Sequence, residues 1–195
     1  MKNVWTLSLV MALSLATVHA QVHIGIKAGF NFAHLSGSDV VGVKGLTSFN
    51  GGLLLNAPLG HGLSLQPELL YSGQGAQAED NSGTLHLGYI NVPVLLKLMG
   101  PEGLFSEIGP QLGILTSTSL KSGVNSVDVK SGYSSADISA VVGFGYYAKS
   151  AHIGIDLRYN FGLANIENHN SSISTGGTVK NNVFQVGMFI IFPGK

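Results

Sequence analysis

Residue types suited to hydrolytic catalysis occur in this chain, but their spacing does not bring them together. A Ser–His–acid set requires a histidine within hydrogen-bond reach of the nucleophile and a carboxylate that orients it. His152 and Asp156 share one face of an alternating segment, but the four-residue step separates them by roughly 13 Å along an extended chain. There is no Gly-x-Ser-x-Gly motif. We therefore expect no catalytic residues and no enzymatic activity.

Metal and cofactor binding are not indicated either. Once His19 is set aside with the leader described below, the histidines are scattered singly, and cysteine is absent. Without cysteine, the chain has no thiolate ligand, no disulfide and no thiol for an acyl anchor. Gly143-Phe144-Gly145 does not lead from a strand into a helix, as a phosphate-binding loop requires. No basic, aromatic stripe suggests a nucleic-acid partner. We predict no metal, no cofactor and no nucleic-acid binding.

Seven charged residues fall on the polar faces of alternating segments. Three are cationic and four anionic: Lys27, Glu68, Lys97, Glu107, Asp137, Asp156 and Arg158. Buried charges are costly unless they are paired and hydrogen-bonded. If these faces point into a narrow lumen, we predict a structural ion-pair network that fills it. A small ion-selective pore and a buried catalytic set remain as alternatives.

The elements that carry these residues are predicted to be β-strands. In the clearest segment, His152 to Leu163, apolar residues alternate with polar ones throughout, which is the period of a strand. Its length suffices for a tilted strand to cross a bilayer, which takes about 9–11 residues. Seven further segments alternate in the same way: 23–32, 47–59, 63–72, 89–98, 104–114, 137–146 and 184–192.

The connections between these eight segments alternate between short and long. Tight turns are predicted around Gly60-His61-Gly62, Gly100-Pro101-Glu102-Gly103 and Lys149-Ser150, and longer links at Ser36 to Leu46, Gly75 to Gly83, Leu120 to Gly132 and Ile166 to Lys180. This pattern predicts an all-β fold, an eight-stranded antiparallel up-and-down transmembrane β-barrel. The long links are expected outside the cell and the turns in the periplasm. Because proline removes a ladder donor, we expect bulges at Pro67, Pro93 and Pro110.

Composition and the N-terminus agree with export to a membrane. Residues 1–20 have a positive start at Lys2, an apolar stretch and the small-residue site Val18-His19-Ala20, which predicts a signal peptide. One barrel domain is then expected over 21–195. Charged residues make up only 10% of the chain, with ten acidic and ten basic, against about 25% in ordinary soluble domains.

Aromatic residues help to choose between a membrane barrel and a soluble one. Most lie near strand ends, as in the girdles that flank the apolar band of outer-membrane barrels: Phe30, Phe32, Tyr71, Phe105, Tyr146, Tyr147, Tyr159, Phe161, Phe184 and Phe192. The alternative is a soluble lipocalin-like carrier, whose apolar faces would point inward. The rhythm of the connections and the low charge favour the membrane barrel.

Three motifs resemble a known family. The runs Gln66-Pro67-Glu68-Leu69-Leu70-Tyr71-Ser72, Tyr89-Ile90-Asn91-Val92-Pro93-Val94-Leu95-Leu96-Lys97 and Gly25-Ile26-Lys27-Ala28-Gly29-Phe30-Asn31 are similar to those of the small outer-membrane β-barrel domain of Bacteroidetes, which includes PorT-like proteins. Members commonly have an acidic residue where this chain has Asn91. The resemblance implies an eight-stranded barrel in the cell outer membrane.

The expected function is that of a non-catalytic structural or interaction component. Exposed loops on a rigid scaffold commonly carry binding residues, so a protein partner is expected at the long links, for example at Asn125, Asp128 and Lys130. Outer-membrane lipid is the other expected partner. A narrow channel for ions or small solutes is the main alternative, and a lipid-modifying outer-membrane hydrolase is a further one.

Overall fold

The computed structural model describes residues 22–37, 42–80, 82–122, 125–127, 129–166 and 178–193. The predicted leader, residues 1–20, lies outside this range. The described chain is almost entirely β-strand: β1 (His23–Gly37), β2 (Val43–Gly60), β3 (Leu63–Ala78), β4 (Thr84–Met99), β5 (Leu104–Ser122), β6 (Asn125–Val127), β7 (Ala136–Ala148), β8 (Ile153–Gly162) and β9 (Val179–Ile191).

Eight of these strands close into an antiparallel ring. Consecutive strands of the ring pair with one another, β5 pairing with β7 because the short strand β6 lies outside the ring. The ring is closed by β1 and β9, which pair from Gly25↔Ile191 to Gly37↔Val179. Closure leaves no barrel strand with an open edge, which a lipid environment requires of β-structure. The predicted eight-stranded, antiparallel, up-and-down β-barrel is confirmed.

The apolar face of the barrel points outward and the charged face inward. Ile155 is 55% exposed and Phe144 63%, whereas Arg158 is 2% exposed. This arrangement is the reverse of a lipocalin-like carrier, so that alternative is wrong. Among the described residues, no helix has the length and apolar character needed to cross a membrane.

The three tight turns occur where they were predicted. At the first, Gly60, His61 and Gly62 all have positive φ angles, of 99°, 53° and 79°, which glycine adopts without steric cost. The second contains Gly103, whose N–H donates to the Gly100 carbonyl at 3.1 Å. The third is longer than expected and extends to His152.

Three of the four long links contain more regular structure than predicted. In the link from Ser36 to Leu46, β1 extends to Gly37 and β2 begins at Val43. Strand β3 continues past Gly75 to Ala78, whose N–H donates to the Gly83 carbonyl at 2.9 Å, so this link is short. In the link from Leu120 to Gly132, strand β6 pairs with the end of β5, and a 3₁₀ turn follows at Lys130–Gly132. Strand β6 satisfies backbone groups of β5 where β5 extends past the start of β7. Most of the link from Ile166 to Lys180 lies outside the described residues.

The prolines do not form the predicted bulges. Pairing around Pro67 and Pro93 resumes in the same register, from Pro67↔Val94 to Leu70↔Asn91, and the register around Pro110 is also unbroken. The shifts lie between Gly45 and Asn50, between Pro58 and Gly60, and between Gly88 and Tyr89. A missing donor removes a ladder bond but inserts no residue, which is what a bulge requires.

Candidate functional site

The lumen is built around Arg158. Its Nη1 and Nη2 donate to the two carboxylate oxygens of Glu68 at 2.7 and 2.8 Å, and its Nε donates to Glu107 at 2.5 Å. Glu68, Glu107 and Arg158 come from β3, β5 and β8, so this one guanidinium connects three strands across the barrel. Bidentate guanidinium–carboxylate pairs are among the strongest hydrogen-bonded contacts in proteins.

Two lysines extend the charged layer on either side of Arg158. Lys27 Nζ lies 2.7 Å from both oxygens of Asp156, and Asp156 Oδ1 is 3.6 Å from Arg158 Nε. Lys97 is held differently, because its Nζ is 3.6 Å from Glu107 Oε2 and is not hydrogen-bonded to it. All these side chains are almost completely buried.

Asp137 is the predicted lumenal charge that does not lie in this layer. It is buried and points inward. Its partner on strand β5 is Gly113, whereas Glu107, the β5 residue of the charged layer, pairs with Gly143 of β7. Six residues of strand β5 therefore separate the two levels, about 20 Å along the strand. The structure brings together Lys27, Glu68, Lys97, Glu107, Asp156 and Arg158, and it leaves Asp137 nearer the loop end.

Inward glycines provide the room for the large charged side chains. A Cβ at Gly143 would lie 2.9 Å from Glu107 Oε1 and 3.0 Å from the Leu157 carbonyl oxygen. A Cβ at Gly187 would lie 2.7 Å from Lys27 Cε and 2.8 Å from Asp156 Oδ1. The distances below 3.0 Å, to Glu107, Lys27 and Asp156, are shorter than real Cβ contacts, so a larger residue at either position would require these side chains of the ion-pair layer to move.

A layer of amides and hydroxyls lies on the loop side of the charges. Asn31 Nδ2 donates to Ser72 Oγ at 2.9 Å, and its Oδ1 accepts from Asn50 at 2.6 Å and from Gln185 at 2.9 Å. Gln74 also donates to Ser72, at 2.9 Å. These residues were not among the predicted lumenal set, although their inward positions in the alternating pattern were a usable signal.

Apolar clusters lie in the lumen toward both ends. At the turn end, Leu54, Phe105, Phe189 and Ile191 pack together, with Met99 and Tyr147 against them. At the loop end the cluster consists of Leu87, Tyr89, Leu115 and Ile166, with Leu35, Leu85, Tyr133 and Val179 packed around it.

The turn-end cluster also holds Lys97, whose Nζ lies 3.9 Å from the Phe105 ring centroid and 4.5 Å from that of Phe189. An ammonium over an aromatic face is attracted by the ring quadrupole. Phe105 therefore belongs to the lumen, and its prediction as part of an interfacial girdle was wrong. Tyr147 is likewise only partly exposed and stacks on Phe189, with ring centroids 5.9 Å apart.

Several outward aromatic residues form pairs on the loop side of the apolar outer surface. Phe32 contacts Phe184, Phe49 contacts Tyr71, and Tyr159 contacts Phe161, with ring centroids 6.1, 5.5 and 4.5 Å apart. Such aromatic rows mark the boundary between hydrocarbon and headgroups in membrane barrels. Phe49 was not among the predicted girdle residues.

The geometry of the histidines and acids gives no support to a hydrolase. His152 Nδ1 lies 3.4 Å from the Tyr147 hydroxyl, in a turn, while the oxygens of Asp156 are bound by Lys27 deep in the lumen. Within the ranges that the structure describes, no group of three or more His, Asp or Glu residues could hold a metal ion.

Closed topology, an apolar exterior and a polar interior define the class as an outer-membrane β-barrel. The chain belongs to the outer membrane protein beta-barrel domain family, whose model matches residues 16–168. The protein is accordingly located in the outer membrane, as the sequence predicted. Comparison with curated protein sequences gives no match.

Solved structures show the same fold at low sequence identity. Neisserial surface protein A (NspA) is 13% identical, with a TM-score of 0.58, and the match covers 87% of this chain and 97% of NspA. Ail, the attachment invasion locus protein of Yersinia pestis, is 14% identical, with a TM-score of 0.50, and the match covers 88% of this chain and 99% of Ail. At these identities, the likeness concerns the fold alone.

Proposed function

We propose that this protein is a non-catalytic barrel that acts through its loop-end surface, as a structural or interaction component with a protein partner. The observation that carries the proposal is the filled lumen. An apolar cluster toward each end and the buried ion pairs between them occupy much of the described interior with side chains. With the interior occupied, the surface is the remaining place for recognition.

The charged layer is assigned a structural role within this proposal. Four of its five carboxylate–cation contacts join different strands: Lys27–Asp156, Lys97–Glu107, Arg158–Glu68 and Arg158–Glu107. Pairing satisfies charges that would otherwise be costly to bury. Such contacts hold the cross-section of the barrel and fix the ends of the strands that present the loops.

The finer assignment to PorT-like proteins of Bacteroidetes rests on the resemblance of the motifs around Gln66, Tyr89 and Gly25. That resemblance suggests an association with protein secretion. Ail is described as an attachment invasion locus protein, and a contact role at the cell surface is compatible with a barrel of this size. Both possibilities place the partner at the same end of the molecule.

Loop deletion with affinity capture tests the proposal. Residues 168–177, and in a second variant 38–41, would be replaced by a short Gly-Ser link, and the protein would be captured from detergent-solubilised envelopes. A control variant would carry His61→Asn in the first tight turn, where asparagine also tolerates positive φ. We expect a partner that the control retains and a loop variant loses. A partner kept by both loop variants would contradict the proposal.

A narrow channel remains the second candidate because one ion pair is loose. Lys97 Nζ and Glu107 Oε2 are buried without a hydrogen bond, 3.6 Å apart, so this contact is the easiest part of the layer to rearrange. Recordings from the pure protein in planar bilayers separate the two functions. The interaction role predicts no steady conductance, and large, stable single-channel steps would reverse the ranking.

A further inference from the structure

At the loop end of the barrel, exposed lysines lie closer to the apolar outer surface than exposed carboxylates do. The described lysines there lie in strand ends or in the 3₁₀ turn beside the barrel: Lys44, Lys121, Lys130 and Lys180. The described carboxylates, Glu79 and Asp80, lie at the tip of the connection between β3 and β4. Cationic groups thus lie between the membrane and the acidic tip.

Strands β2 to β6 continue past the belt as a sheet, and one row across it concentrates donors. Successive cross-strand partners in this row are Lys44, Gln77, Thr84, Lys121 and Ser126. Two residues closer to the membrane, the next row on the same face contains His86 opposite Ser119. Lys44, Lys121 and Ser126 are exposed. Lysines therefore alternate with amide and hydroxyl groups across five strands.

Lys130 brings a third ammonium closer to the belt. Its Nζ donates to the Thr116 carbonyl at 3.2 Å, and its side chain is exposed. Thr116 is only two residues beyond Ile114, which is 47% exposed on the lipid-facing surface. Since a strand rises about 3.3 Å per residue, the carbonyl that binds this ammonium lies about 7 Å along β5 from Ile114.

We propose that the two lysines of this row, Lys44 and Lys121, together with Lys130 on its membrane side (hereafter the lysine row), bind the phosphate groups of an outer-leaflet glycolipid. Phosphate accepts charge-assisted hydrogen bonds from lysine, and anionic headgroups attract lysines that lie next to a membrane. A soluble anionic partner approaching from outside would first meet Glu79 and Asp80. A lipid reaches the lysines from the side of the belt, so charge complementarity favours the lipid.

The proposal rests on the predicted orientation of the loop end but is tested independently of it. The mature chain, folded in zwitterionic detergent micelles, would be titrated with phosphorylated lipid A and with the same lipid after removal of its phosphates. The test variant is Lys44→Gln/Lys121→Gln/Lys130→Gln. The matched control is Lys149→Gln, which removes an exposed lysine at the opposite end of the barrel. Retained heat-modifiable gel mobility would show that each variant is folded.

We expect the wild type and the control to bind phosphorylated lipid A equally, and the triple variant to bind about 100-fold more weakly, from roughly a fivefold loss per lysine. Equal binding of the dephosphorylated lipid would overturn the phosphate assignment. Unchanged affinity in the triple variant would overturn the lysine row as the site. Binding of soluble heparin in preference to lipid A would replace the lipid with a surface polysaccharide. Any of these failures would leave the loop-partner proposal standing, because that proposal is read from affinity capture.

Discussion

Replacing Arg158 with methionine is the sharpest test of how the lumen is held together. The substitution keeps a long, unbranched side chain but removes three charge-assisted hydrogen bonds, two to Glu68 and one to Glu107. Both carboxylates would be left in a site where each is 3% exposed. Removing one partner of a buried pair costs about 3–5 kcal/mol. We expect Arg158→Met to lower the free energy of unfolding by about that amount.

The double variant Glu68→Gln/Arg158→Met separates lost pairing from lost packing. Glutamine is neutral, so the double variant leaves no unpaired Glu68 carboxylate, and its cost should fall below the sum of the two single costs by about 0.5–3 kcal/mol. Unfolding in urea from lipid vesicles, followed by the shift in gel mobility between folded and unfolded barrel, supplies both values. Tryptophan fluorescence does not serve here, because the single tryptophan, Trp5, lies in the predicted leader. A loss below about 1 kcal/mol for Arg158→Met, or strictly additive costs, would refute a structural ion-pair layer.

Three further predictions address orientation, faces and packing. Protease added to intact cells should cut between residues 168 and 177 and not at Gly60-His61-Gly62; cleavage at the turn in sealed cells would invert the orientation. Ile155→Arg, on the lipid-facing surface within β8, should cost about 2–4 kcal/mol of folding free energy in vesicles, whereas Leu163→Arg beyond the strand end should cost about 0–1. Equal costs would contradict the assigned depths. Gly143→Ala should cost about 1–3 kcal/mol in urea unfolding because its Cβ would lie too close to Glu107 and the Leu157 carbonyl. The control Gly100→Ala, whose Cβ would have its nearest contact at 3.5 Å, should change the free energy of unfolding little. A harmless Gly143→Ala would show that the ion-pair layer can shift.

Sequence alternation was sufficient to predict the strands because a membrane barrel imposes opposite polarities on its two faces. His152 to Leu163 shows this, since it alternates strictly and strand β8 spans Ile153–Gly162. Inward positions that carry apolar residues break the rule, and the alternating pattern could not identify them. Phe105 and Phe189 occupy such positions, and only the closed ring brings them together from β5 and β9.

Register and partner choice were the other limits of sequence reasoning. Proline positions suggested bulges, but a bulge needs an extra residue, and nothing around Pro67 or Pro93 marks one. Ion-pair partners depend on strand stagger around the barrel: Arg158 and Glu68 are 90 residues apart in sequence. Alternation places both side chains inside but gives no information on which strands face each other across the lumen.

The charged groups inside the barrel and the lysines at its loop end lie at different levels along the barrel. Within the described residues, the carboxylates of the ion-pair layer are already bound by Lys27, Lys97 and Arg158, so they contribute little net field to the exterior. The loop-end lysines lie beyond the second apolar cluster, which separates them from that layer. Substitutions in the lysine row should therefore change lipid binding without changing barrel stability, and substitutions around Arg158 should do the reverse. A lysine-row variant that unfolds as readily as Arg158→Met would show that the two levels are coupled and would count against a binding surface distinct from the scaffold.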